Sequence, residues 1–467
     1  MEEDSRDEYW RTRLAGGLVF NWRPPALVRR DSCVSLMHVC RLWRDVILDL
    51  PYIWSRTSNL GTPASCILRS KQYPLTVVVD EPLNGGMRDV LENHIHRSQS
   101  LYWPRRIPLA YEYVTAPAPM LRNVSIGIPF KQTFTASNLF SDCTPSLQRL
   151  ALSGFHPLPH NTFHDLTCLL LHKCQVDPHQ LLSWMAASPR LKDLMLNDNK
   201  YLPWSGVYPA TEPLRNLQKL KICTESTVDW LLSHPALSEQ TTIDLNVWPP
   251  EAIPLSTFHP ASYTFTKILL RRHHVAAFGP FAGLRICFHD GTMYATWALH
   301  VRIPLHQITE LWIDRSPSIE VCREILYDLT ALESVTVSLE WRLAISSLCS
   351  SIPPSTAAIP TNVPCPNLRV LRILFSNDDY LSAIFKKSTR NPPAIANILA
   401  ARAKMAHPLR LLVILCSDRL DIDVSTYPEI LESTPISWEP YKASSVPEME
   451  IPDVCRESAP YWWDRWN

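Results

Sequence analysis

The residues that could do chemistry are present but badly placed for it. His156, His160 and His164 repeat at i, i+4, a spacing that on one helix would gather imidazoles for a metal ion. Pro157 and Pro159 fall between them and break such a helix. His94 and His96, and the neighbours His273 and His274, have no cysteine or carboxylate cluster beside them. The 13 cysteines contain no C-x-x-C pair. There is no G-x-S-x-G elbow and no H-E-x-x-H helix. The chain has 11 glycines, and they form neither a Walker A loop nor a dinucleotide fingerprint. The expectation is a protein without a catalytic site, metal or cofactor of its own.

The composition points the same way. Lys plus Arg and Asp plus Glu balance at 45 each in 467 residues, so no nucleic acid or anionic membrane is expected as a partner. The opening MEEDSRDE lacks an apolar core, which argues against a secretory signal. The longest plain apolar run, near Leu409 to Cys416, is too short to span a bilayer. An odd number of scattered cysteines reads as reduced, buried thiols in the cytoplasm or nucleus. The 41 prolines fall at intervals, as punctuation between short units.

If the chain does no chemistry, its elements must present surfaces. The stretch VCRLWRDVILDLPYIW, Val39 to Trp54, is the first candidate. Leu36, Cys40, Trp43, Ile47 and Leu50 step by 4, 3, 4 and 3, with Val39 and Val46 widening the stripe, the pattern of an amphipathic helix. Asp31 or Ser32 is placed to cap it. Pro51 should end it at Leu50, leaving Trp54 to fold back on it. The combination of Val39, Cys40, Arg41, Trp43, Arg44, Val46, Pro51, Ile53 and Trp54 resembles the second half of an F-box of fungal type. That resemblance covers roughly residues 31–58. It implies docking on the Skp-type adaptor of a cullin–RING ubiquitin ligase through Leu36, Val39, Cys40, Trp43, Val46, Ile47, Leu50, Pro51 and Trp54. Residues 1–30 hold RLAGGLVFNWRPPALVRR where the family has its first, Leu-Pro-x-Glu-like helix. Two readings follow: a ligase substrate receptor, or a repeat scaffold that has lost ligase coupling.

Beyond this stretch the template L-x-x-L-x-L recurs, with Ile, Val or Phe allowed at its apolar positions. It starts at Leu121, Leu147, Leu166, Leu191, Leu217, Phe265, Ile308, Leu332, Leu368 and Leu409, and a weaker copy, QTTIDL, starts at Gln240. Early spacings lie near 25, and later ones stretch to about 40. Candidate helices such as PHQLLSWMAASP and SIEVCREILYDLTAL lie between copies. A strand and a helix every 20–29 residues is the leucine-rich repeat pattern. An ordinary α/β domain also alternates strand and helix, but the missing glycine-rich loops count against a doubly wound enzyme. Cys174 and Asn199 fill the Asn/Cys slot of the repeat, and other copies depart from it.

The expected fold is α/β: a small helical F-box-like module followed by an irregular leucine-rich-repeat solenoid, a curved parallel sheet with outer helices. The expected segments are a divergent 1–30, a partial F-box-like 31–58, a connecting or N-capping 59–116, repeats over 117–434 and a Trp-rich tail over 435–467. Strand alternation turns the fourth and sixth template positions inward and the third, fifth and seventh toward the concave wall. That wall would offer a substrate protein Arg149, Lys219, Lys221, Lys267 and Arg271, a basic centre, followed by Glu310, Trp312 and Asp314. The basic centre suits an acidic or phosphorylated segment. In the last copy Leu411, Val413 and Leu415 would face outward, and part of a tail holding Trp438, Tyr441, Trp462, Trp463 and Trp466 is expected to cover them.

Overall fold

The computed structural model describes residues 35–58, 62–79, 82–103, 111–129, 138–203, 214–224, 229–232, 237–247, 264–271, 274–287, 303–314, 325–338, 364–374, 399–400, 402–417, 434–441 and 448–456. The chain divides into two compact units, Met1–Ser238 with Ser458–Asp464, and Glu239–Glu457 with Arg465–Asn467.

The first unit opens with helices α1 (Arg41–Leu48) and α2 (Pro51–Trp54), strand β1 (Arg56–Ser58) and helix α3 (Pro63–Ser70). There follow β2 (Leu75–Val78), α4 (Gly85–Asn93), β3 (Ser98–Trp103), α5 (Tyr111–Thr115), β4 (Asn123–Gly127), β5 (Arg149–Ser153) and β6 (Cys168–His172). Next come β7 (Gln175–Val176), α6 (Pro178–Ala187), β8 (Asp193–Asn197), β9 (Lys200–Tyr201), β10 (Lys219–Thr224) and α7 (Asp229–Leu232). Strands β1, β2, β3, β4, β5, β6, β8 and β10 pair in that order, each parallel to the next. Strands β7 and β9 make a separate two-stranded ladder.

The second unit contains β11 (Thr242–Val247), β12 (Lys267–Arg271), β13 (His274–Phe278), β14 (Gly283–Cys287), β15 (Glu310–Asp314), β16 (Ser334–Ser338), β17 (Val370–Leu374), β18 (Leu411–Ser417), β19 (Ile436–Tyr441) and α8 (Asp453–Arg456). Its spatial order is β11, β14, β13, β12, β15, β16, β17, β18, β19. All neighbours are parallel except β12–β13 and β13–β14. Each unit is thus an α/β body with a mostly parallel sheet, consistent with a leucine-rich-repeat-like solenoid.

The template explains these sheets residue by residue. Every one of its copies, QTTIDL included, is a strand that begins at the third position, from Asn123 in β4 to Leu411 in β18. Fourth and sixth positions are buried throughout, for example Leu150 and Leu152, Leu194 and Leu196, Ile268 and Leu270, Leu371 and Ile373. First-position side chains such as Leu147, Leu191 and Leu368 join them. In most copies three buried apolar side chains, at roughly 1.5–3 kcal/mol each, supply the stacking energy that no single copy has alone.

Backbone hydrogen bonds repeat with the same period. The second-position carbonyl of one copy accepts two N–H donors from the next: Lys192 O takes Gln218 N and Lys219 N, and Glu333 O takes Arg369 N and Val370 N. A turn precedes the copies, as in Leu191 N to Ser188 O and Leu368 N to Cys365 O. Past the strand, Gly154, Lys173 and Asp198 hold φ of 74°, 51° and 50° and swing the chain out of the sheet. The Asn/Cys slot links neighbouring copies of the repeat. Asn199 accepts from Cys174 N at 2.9 Å and donates to Leu171 O at 3.0 Å, while the Cys174 thiol points at Leu152 O and His172 O.

Three features differ from the expected segmentation. The parallel sheet starts before the repeats were expected, with β1 at the end of the F-box-like segment and β2 and β3 inside the segment expected to connect or cap, where Val77 and Leu101 stand in register with Val124. The template misses β2 and β3 because Pro74 and Ser98 occupy the position where it requires an aliphatic residue. The long gap between the Phe265 and Ile308 copies contains the hairpin β13–β14, which inserts between β11 and β12. Gly279 closes that hairpin with Gly279 N to Ala282 O at 2.9 Å, and a Cβ there would lie 2.7 Å from Thr264 O. Finally, β19 makes residues 436–441 of the tail a further strand, and Tyr441 packs with Leu374, Val413 and Leu415. The Trp438 side chain and Trp462, Trp463 and Trp466 lie outside the described residues, as do residues 1–34 with Asp31 and Ser32.

Candidate functional site

Two surfaces carry the residues singled out by sequence. The first is built by α1, α2 and α3. Cys40 is fully extended, at φ −158° and ψ 170°, so the helix starts at Arg41 rather than running unbroken from Leu36. Leu36 belongs to a preceding turn closed by Val39 N to Leu36 O. Pro51 starts α2, as a proline at the first helical position does readily.

The break changes which side is covered. Of the expected stripe, Ile47 is buried, Leu50 is half-buried and Cys40 is exposed. Leu36, Val39, Trp43 and Val46 stand 41–64% exposed, and Pro51 is half-buried. Of the two tryptophans, Trp54 is buried and Trp43 is exposed. The Trp54 indole folds back so that Nε1 donates to Ile47 O at 2.9 Å, and the Arg69 guanidinium lies 4.4 Å above the ring. Ile47, Trp54 and Cys66 form a small core, with Met37, Leu48 and Ile53 against it. Arg97, itself buried, ties α3 to the sheet by donating to Lys71 O, Tyr73 O and Ser70 Oγ. Leu42, Trp43 and Val46 of α1, and Val39 of the turn before it, are open to solvent. Leu42, 71% exposed, escaped the sequence reading because it lies off the assumed stripe.

The second surface is the sheet face that carries third, fifth and seventh template positions. In the first unit Arg149 is exposed, but Lys219 and Lys221 are only 6% and 5% exposed. Parallel strands sit about 4.8 Å apart, so each wall side chain is flanked by its register partners, here Asp193 and Met195. The basic centre offers a ligand far less charge than the sequence suggests.

In the second unit, Lys267 and Glu310 are register partners and pair at 3.3 Å. Trp312 Nε1 donates to Glu310 Oε1 at 2.7 Å, and Lys267 Nζ reaches Glu450 O at 3.2 Å. Arg271 is half-buried between His274 and Asp314 in the ladder, and the Asp314 side chain lies outside the description. On the same face Asp244 and Arg285, register partners on β11 and β14, make a two-point ion pair at 2.9 and 2.6 Å, with side chains 2% and 8% exposed. Sequence reading missed this pair because β14 has no template copy, although Asp244 was a fifth-position residue of QTTIDL.

Burial pushes the Cys365 thiol up to about 12 and Cys168 higher still, so neither supplies a thiolate near neutral pH. Burial, and then the Arg97 charge, holds His94 below its ordinary value; its ring lies 6.4 Å from that of His96. Among the described residues no three His, Cys, Asp or Glu side chains gather as a metal site, and no helix is long and apolar enough to cross a membrane. No protein-family profile matches the chain, and no curated protein is significantly similar to it.

Proposed function

We propose that the chain is the non-catalytic substrate-recognition subunit of a cullin–RING ubiquitin ligase, working in the cytoplasm or nucleus. The observation that carries this reading is the exposed apolar set Leu42, Trp43 and Val46 on α1, with Val39 in the turn before it, beside a small core of Ile47, Trp54 and Cys66. Contiguous exposed apolar side chains are costly unless a partner covers them. A central tryptophan among aliphatics is the composition of an interface hot spot. The set belongs to the stretch that resembles an F-box, so the fitting partner is a Skp-type adaptor and, through it, a cullin. The leucine-rich-repeat-like sheet would then hold the substrate protein while a recruited conjugating enzyme modifies it.

The test is co-purification of the full chain with a Skp-type adaptor, beside Leu42→Ala/Trp43→Ala. Both substitutions are on exposed positions and should leave the fold intact. Stable binding by the wild type, reduced at least tenfold in the variant, is the expected result. A well-folded wild type that does not bind the adaptor would overturn it and leave the repeat scaffold without ligase coupling.

A further inference from the structure

Eight of the eleven large apolar side chains that stand exposed among the described residues fall between Leu36 and Tyr73. They are not confined to the F-box-like segment 31–58. The most exposed of all, Leu68 at 80%, is on α3. Other residues of α3 hold that helix in place. Cys66 shares the core of Ile47 and Trp54, Arg69 lies over the Trp54 ring, and Ser70 Oγ accepts from the buried Arg97. Leu68 is two residues from Cys66, about 200° round the helix, so it points away from that core. On α1, Leu42, Val46 and the capping Asp49 are spaced i, i+4, i+7 and form one stripe. The Asp49 carboxylate meets Lys71 Nζ at 3.1 Å, and Lys71 caps α3 just beyond Leu68. Both side chains of this pair are well exposed, 84% for Asp49 and 62% for Lys71. The pair therefore lies on the outer surface and joins the end of the α1 stripe to the end of α3.

We infer that the adaptor's footprint extends past the F-box-like segment onto α3, with Leu68 as a second anchor. This inference rests on the adaptor-docking reading and adds the extent of that interface. Size supports it. Helix α1 has eight residues and is about 12 Å long, so one side of it falls well short of the roughly 800 Å² per partner that a stable interface buries. An adaptor seated on the α1 stripe must cover more than α1, and the ion pair shows that the end of α3 is next to the end of that stripe. Helix α3 is already fixed by Cys66, Arg69 and Ser70, so covering Leu68 requires little new ordering. The resemblance to an F-box does not account for a leucine this exposed at residue 68, whereas a partner that buries it does. The chemistry asked of the adaptor surface follows. It must be apolar opposite Leu42 and Val46, apolar again opposite Leu68, and polar between them, where it meets Asp49 and Lys71.

The test titrates a purified Skp-type adaptor into the full chain, as wild type and as Leu68→Asp. Phe281→Asp, at a position 70% exposed in the second unit, is the control for loss of any exposed apolar side chain. Hydrogen exchange over residues 41–70 checks that the helical module stays folded. Leu68→Asp is expected to weaken adaptor binding by about tenfold or more, and Phe281→Asp to leave it unchanged. If Leu68→Asp loses protection over α3, Leu68→Ala replaces it, because alanine keeps the helix, and should weaken binding by about threefold or more. Wild-type affinity in a folded Leu68 variant overturns the inference; lost binding in Leu42→Ala/Trp43→Ala beside it leaves the ligase reading standing. An equal loss in Phe281→Asp also overturns it, because α3 then contributes nothing specific. A wild type that binds no adaptor overturns both readings.

Discussion

Trp54 and Trp43 belong to the same short motif, yet their replacement should have opposite consequences. Trp54 is 5% exposed, the largest member of a core whose other buried members are Ile47 and Cys66. Its loss as Trp54→Ala removes the indole contacts, the Nε1 bond to Ile47 O and the surface over which Arg69 lies. Ile47 O keeps a second donor, Leu50 N at 3.3 Å, so the hydrogen-bond part is small and the cavity dominates. A buried tryptophan truncated to alanine costs about 3–5 kcal/mol. That shifts the opening equilibrium of the helical module by roughly two to three and a half orders of magnitude at 1.4 kcal/mol per factor of ten. Few other buried contacts remain to resist it. The expected outcome is loss of hydrogen-exchange protection over residues 41–54 while strands β4 to β8 stay protected. Trp54→Phe keeps most of the burial and should cost about 1–2 kcal/mol. Trp43→Ala, at a position 48% exposed, should stay within about 0.5 kcal/mol of the wild type. Unchanged protection in Trp54→Ala, or an equal cost for Trp43→Ala, would refute the assignment of inner and outer faces.

Other consequences can be checked by the same kind of measurement. Asn199→Ala strips partners from the buried Cys174 N–H and Leu171 carbonyl, and should lower stability by about 2–4 kcal/mol in a urea titration of the full chain. Gly279→Ala drives a Cβ into Thr264 O and should cost about 1–3 kcal/mol, whereas Phe281→Ser beside it, at a position 70% exposed, should be nearly silent. In native protein at pH 8 a thiol reagent should modify Cys40 at once and leave Cys66, Cys168, Cys174, Cys223, Cys365 and Cys455 unmodified until unfolding. Because the folded Cys365 thiol is raised to about 12 from 9.0, the unfolded chain holds fewer protons between those values. Its contribution is complete below pH 9 and is lost as pH rises toward 12, by up to about 1.4 kcal/mol per pH unit. A urea midpoint that does not fall between pH 8 and 10.5 under reducing conditions would contradict this.

The repeat was legible because its signal is local. Aliphatics at the fourth and sixth positions, with an apolar residue at the first in the stronger copies, mark a strand whose alternate side chains point into one core, and QTTIDL, with Gln240 at its first position, still forms one. What failed to register departed from the template, by Pro74 at the first position of β2 and by Ser98 and Trp103 at the first and sixth of β3, or had no repeat geometry, as in the antiparallel β13–β14 hairpin. The helical stripe misled for a different reason. Periodicity reports that an apolar side exists but not whether this chain or another covers it, and the extended Cys40 reset the helix start.

The wall shows the same limit and a way past it. A lysine at a wall position looks like free charge until the copies are aligned. FTKILL and ITELWI then place Lys267 and Glu310 side by side as third-position residues, and the structure pairs them at 3.3 Å. Aligning QTTIDL in the same way isolates Asp244 as a carboxylate on a face that buries it, which demands a cation nearby, and Arg285 meets that demand. In a solenoid, then, the charge that counts is the charge of a row across neighbouring units. Read by rows, the wall of the second unit pairs Lys267 with Glu310 and Asp244 with Arg285.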